Sequence, residues 1–166
     1  NGNSIITYKP SSAITRNFLG NEVPDLVSDK QGNLFFISDN TLIRYNLHNE
    51  QFSLLQQHAD CLHVQENKVW AATADSGFAW DYTKEKFVFI YHFENDGHIT
   101  CLYSDSGKGL WIGTSNGLYY TDSPAHSMPV CVIPHVNIHS LYQDTKGKMW
   151  VAAFRQGMYK IENGKN

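Results

Sequence analysis

The stretch Ile99-Thr-Cys-Leu-Tyr-Ser-Asp-Ser-Gly-Lys-Gly-Leu-Trp-Ile-Gly-Thr-Ser-Asn-Gly-Leu-Tyr-Tyr120 reads as strand, turn, strand, turn, strand. Ile99 to Ser104 alternates as a strand does, Asp105 to Gly109 carries turn chemistry, Leu110 to Thr114 is a second strand, and Ser115-Asn116-Gly117 reverses the chain into Leu118. The same grammar returns from Ile138 through Asp144 and Gly147, Met149 to Ala153, and Gly157 to Ile161. Upstream it runs through Leu26, Asp29 to Gly32, Leu34 to Ile37 and Leu42 to Asn46. A fourth copy keeps Val69 to Thr73 and Gly77 to Asp81 but replaces the Asp-x-x-Gly turn with the tighter Gln65-Glu66-Asn67. The aromatic anchors Phe35, Trp70, Trp111 and Trp150 lie 35, 41 and 39 residues apart. That spacing is close to the period of roughly 40 residues at which four-stranded propeller blades repeat.

Between the repeats lie further candidate strands at Gln51 to Gln56, Lys86 to Tyr91 and Val130 to Ile133, each the outer strand of its blade. Ile5 to Lys9 is expected in the same role for a preceding blade. No stretch of ten residues carries a 3.6-residue apolar period, and Gly, Asn, Asp and Pro interrupt the chain too often for long helices. The expectation is therefore an all-β fold, a β-propeller fragment of about four four-stranded antiparallel blades. The division is 1–21 as outer strand and linker, blades at 22–57, 58–93 and 94–134, and an incomplete last blade at 135–166. Asp29, Asp105 and Asp144 open the turns by accepting a backbone N–H two residues on, and the following glycine takes a positive φ. Gly77, Gly117 and Gly157 mark the next reversal. As core anchors, Trp111 and Trp150 would each cost ~3–5 kcal/mol on replacement by Ala.

Residues 99–120 resemble the two-component regulator propeller repeat, and Ile138 to Ile161 resembles a second copy. Residues 22–46 and 59–81 are weaker copies. The resemblance implies an open arc of a larger propeller of about seven blades, in the periplasmic sensor region of a hybrid two-component system of the kind typical of gut Bacteroides. It implies detection of oligosaccharides and relay to a histidine kinase, with signal sequence and membrane span outside this chain. It supplies no ligand residues, because the matched positions build the blade.

Composition narrows the classes further. The 166 residues are 17% charged with a formal net charge of −3, and no basic run appears, which removes the electrostatic case for nucleic acid. No apolar run reaches the ~18–20 residues of a membrane helix, and Asn1-Gly-Asn-Ser4 has no signal-peptide character. Cys61, Cys101 and Cys131 read as buried or half-buried free thiols. His135 and His139, like His58 and His63, have a ligand-like interval but no helix to make it useful, so no metal or cofactor is expected. The chain is not read as an enzyme. The aspartates recur because every blade needs a turn, no Gly-x-Ser-x-Gly elbow is present, and no helix follows Ser106-Gly-Lys-Gly109 to make it a phosphate loop.

What remains is a binding surface. The turns between second and third strands present Asp39, Asn40, Asp75, Ser76, Ser115, Asn116, Arg155 and Gln156, which differ between repeats while the framework does not. These groups suit sugar hydroxyls, and Phe154 or Trp80 offers a stacking face. A second reading is a propeller scaffold for protein–protein interaction or dimerisation with no small-molecule site in these blades. An open arc exposes its first and last blade faces, so self-association is expected, alongside contacts with other blades and signalling domains of the parent.

Overall fold

The computed structural model describes residues 4–8, 20, 22–65, 67–93, 97–105, 109–124 and 126–162. The linker at 9–19 and most of the Ser106 to Gly109 turn lie outside the described residues. All regular structure among the described residues is β, in four antiparallel sheets. The first contains β1 (Leu26–Ser28), β2 (Asn33–Ser38), β3 (Thr41–Asn46) and β4 (Gln51–His58). The second contains β5 (Cys61–Gln65), β6 (Lys68–Ala72), β7 (Ser76–Asp81) and β8 (Lys86–His92). The third contains β9 (Ile99–Ser104), β10 (Leu110–Thr114), β11 (Gly117–Thr121) and β12 (Val130–Pro134). The fourth has three strands, β13 (Ile138–Gln143), β14 (Met149–Ala153) and β15 (Gly157–Ile161).

Each sheet is a meander in which consecutive strands pair, so local turn chemistry sets its register. The innermost strands line up, β5 against β1, β9 against β5 and β13 against β9, and the row of sheets stays open rather than closing on itself. Alternation along each strand sends one set of side chains to the preceding sheet and the other to the following one. Three apolar clusters result, one per joint. Phe35, Ile37 and Leu42 meet Leu62, Val69, Trp80 and Phe87. Cys61, Trp70 and Tyr91 meet Leu102, Leu110 and Ile112. Trp111 and Leu118 meet Ile138, Met149 and Val151. Gly113 allows β9 and β13 to approach closely, since a Cβ there would stand 2.6 Å from both Cys101 Sγ and Ile138 Cγ2.

The inner turns carry out the expected chemistry and one further task. Asp29 Oδ1 accepts the Gln31 and Asn33 backbone N–H groups at 2.9 and 2.8 Å, and Asp144 Oδ1 accepts those of Lys146 and Lys148, both at 2.9 Å. Gly32 and Gly147 hold φ of +79° and +78°. The second carboxylate oxygen reaches the anchor. The Trp111 and Trp150 indole N–H groups donate to Asp105 and Asp144 Oδ2 at 3.3 and 3.0 Å. In the first repeat, where the anchor is Phe35, the Asn33 amide and the Tyr82 hydroxyl of the next sheet donate to Asp29 Oδ2 instead.

Residues 5–8 are not in a strand; Tyr8 packs against Phe52 of β4. Two expectations are corrected. Trp150 is half-buried rather than a core residue, since it points away from the third sheet on the outward face of the last one. Cys131 is exposed, as the outer strand β12 shows most of its side chains to solvent.

Candidate functional site

The turns from second to third strand gather at one end of the sheets, beside the links that lead to the next innermost strand. Asp39 and Asn40 form a two-residue reversal with φ of +46° and +61°, the left-handed pair that matches strand twist. Backbone carbonyls of these turns hold the outgoing chain. Asn40 O accepts Ala59 N at 3.1 Å, Asp75 O accepts Phe93 N at 2.7 Å, and Asn116 O accepts His135 N at 2.8 Å. The incoming link answers in kind, with Ser115 N donating to His98 O and Phe154 N to Asn137 O, both at 2.8 Å. The turn backbones are therefore stitched between blades, which fixes where their side chains stand.

Those side chains differ in how far they are already engaged. The Asn40 amide donates to Asp60 at 3.1 Å, and Gln156 Oε1 accepts the Asn137 backbone N–H at 3.1 Å. Asp75 accepts the Ser76 and Thr73 hydroxyls at 2.9 and 3.1 Å, which holds its carboxyl below the usual range; His92 nearby acts in the same direction. Asp39, Asn116 and Arg155 are exposed on three separate sheets. The Arg155 guanidinium lies 5.1 Å over the exposed Phe154 ring, so the cation covers one face of that ring. Trp80 is not at this end. It is buried at the first joint, 5.0 Å from Phe35 and 5.2 Å from Phe87.

Other candidate groups are spread out. His135 sits in the loop after β12 with φ of +59°, and His139 is exposed on β13. His63 stacks on Tyr103 at 5.1 Å between sheets, and burial lowers its pKa to about 4, so it is neutral at physiological pH. Burial pushes the Cys101 thiol up to about 11 and Cys61 higher still, the opposite of what a nucleophilic thiolate needs. Sequence reasoning missed the carboxylate-to-indole bond, although the constant offset of six residues from Asp to Trp in the third and fourth repeats was there to be seen.

Four meander sheets stacked through alternating faces in an open row define a β-propeller arc. The two-component regulator propeller model matches residues 94–116 and 133–155, within the third and fourth copies of the repeat. The structure is similar to the extracellular domain of the putative hybrid two-component system BT4673 from B. thetaiotaomicron, with a TM-score of 0.71 and 17% identity over 87% of this chain and 21% of that one. The corresponding domain of BT3049 from the same organism gives 0.57 and 18% over 94% and 29%. A streptogramin B lyase gives 0.70 and 11% over 85% and 51%. At these identities the likeness is one of fold, and the chain spans under a third of the length of the two ectodomains. No protein of curated function matches the chain.

Proposed function

We propose that this chain is part of the periplasmic sensor region of a hybrid two-component signalling protein and contributes to oligosaccharide detection relayed to a histidine kinase. The observation that carries the reading is the pair of regulator propeller repeats in the third and fourth sheets, on a fold shared with ectodomains of such systems. The end with the Asp39, Asn40, Asp75, Asn116, Phe154, Arg155 and Gln156 side chains is the recognition surface in this reading, with Asn116 and Arg155 free to meet sugar hydroxyls and Phe154 to stack. The chain itself performs no catalysis. Relay requires that ligand bind one arrangement of the parent's domains better than another.

Calorimetric titration of the intact ectodomain and of this chain with plant and host oligosaccharides tests it. Saturable binding weakened by Arg155→Ala or Asn116→Ala is expected; no binding by either protein contradicts it. A second reading is a scaffold for protein interaction or self-association, in which exposed apolar residues such as Leu26 and Met158, 55% and 68% exposed, meet a partner.

A further inference from the structure

The joint between the second and third sheets differs at its two ends. Where the turns from second to third strand gather, backbone stitches it, since Ile99 N at the start of β9 donates to Ala74 O at 2.7 Å. At the opposite end, beside the first turns, the joint is polar and unbonded. His63 Nε2, Gln65 Oε1, Trp70 Nε1 and Ser104 Oγ are buried there, and none has a hydrogen-bond partner. The pleat places them on the two facing surfaces. His63 and Trp70 share a rung, Gln65 follows His63 on the same face, and Ser104 shares a rung with Leu110, which packs in the Trp70 cluster. The neighbouring joints are bonded across. The Tyr82 hydroxyl reaches Asp29 over the first at 3.0 Å, and Thr100 Oγ1 donates to Ile138 O over the third at 2.7 Å.

His63 couples this joint to pH, because an imidazole is the side chain that takes up a proton near neutrality. Its ring stacks on Tyr103 of the third sheet at 5.1 Å. Cys61 and Gln65 flank it on its own strand, Trp70 stands beside it on β6, and the Lys68 ammonium lies 5.8 Å over the Trp70 ring. Asp105, which follows Ser104, is turned to Gly109 N and the Trp111 indole of its own sheet. Among the described residues no carboxylate pairs with the imidazole, so a proton on it becomes a buried, uncompensated charge.

We propose that this joint is an acid-operated hinge: a proton on His63 parts the second and third sheets at the first-turn end, while the backbone bond at the other end keeps them joined. None of these residues lies at the candidate recognition end, so the hinge is independent of the sugar reading. Burial holds the His63 pKa at about 4 with the joint closed, against the ordinary 6.5. The closed joint therefore keeps its full stability above pH 6.5 and loses it as pH falls from there toward 4.

Thiol labelling of the folded Ser104→Cys chain, read by mass spectrometry, tests this. The substitution puts a near-isosteric thiol at the parting end. Cys61, whose rung partner is Ala72, marks the stitched end, and the exposed Cys131 corrects for the pH dependence of the reagent. From pH 7.5 to 5 the introduced thiol gains at least about tenfold in rate relative to Cys131, while Cys61 stays protected. Adding His63→Phe, which keeps a ring against Tyr103 without a titratable nitrogen, abolishes the gain. His63→Gln serves in its place if a circular dichroism melt shows the phenylalanine variant unfolded. A flat pH response with His63 present overturns the hinge, as does a response that survives the His63 substitutions. Equal labelling of Cys61 and the introduced thiol at pH 5 means that acid unfolds the whole joint, which also overturns it.

Discussion

At the scale of single residues, the repeat is a coupling between one carboxylate and one indole. Asp105 and Asp144 spend one oxygen on the turn and the other on the Trp111 or Trp150 N–H, so the hairpin and the anchor hold each other. The second repeat shows what happens without the carboxylate. Gln65 stands where the aspartate should be, and both Gln65 Oε1 and the buried Trp70 Nε1 have no hydrogen-bond partner. An unmade buried bond forfeits the desolvation of its donor. Trp111→Phe should therefore destabilise the protein by about 1 kcal/mol more than Trp70→Phe, since the loss of ring volume is common to both and only the first loses a bond. Chemical unfolding of the two variants measures the difference. The turn role of these aspartates was legible in their spacing to glycine, whereas their hold on the anchor was not read, because it depends on where the indole edge points.

At the scale of elements, the strands were legible because alternation and turn residues are local, and all three internal outer strands form. What sequence could not supply was the ladder partner. Residues 5–8 have strand composition but form no ladder, and Tyr8 meets β3 and β4 through its side chain alone. The turn glycines are a cleaner case, since their reason is conformational. Gly147 holds φ of +78°, and a Cβ there meets nothing within 4 Å. Gly147→Ala should thus cost about 1 kcal/mol through left-handed backbone strain alone, with thermal unfolding as the readout and an unchanged midpoint as the contrary result. The candidate ligand turns were legible as variable positions between constant strands. Their stitching into the interblade links was not, because those bonds join residues about 20 positions apart with no periodic mark in the sequence.

At the scale of the whole molecule, stability resides in the joints. Each sheet is half-covered by the next, and an anchor's contribution depends on whether a sheet follows it. Trp111 is 7% exposed between the third and fourth sheets, while Trp150, its equivalent in sequence, lies on the outward face. The repeat alone assigned both to a core, because a periodic sequence does not say which copy has a neighbour. The most direct test of this account is a double-mutant cycle on unfolding free energy with Trp111→Ala and Met149→Ala, run beside Trp150→Ala at a concentration where the chain is monomeric. The account predicts a cost of ~3–5 kcal/mol for Trp111→Ala, a coupling to Met149 of about 1 kcal/mol or more, and a loss of about 1–2 kcal/mol for the half-buried Trp150. Additive single losses, or equal costs for the two tryptophans, would contradict it.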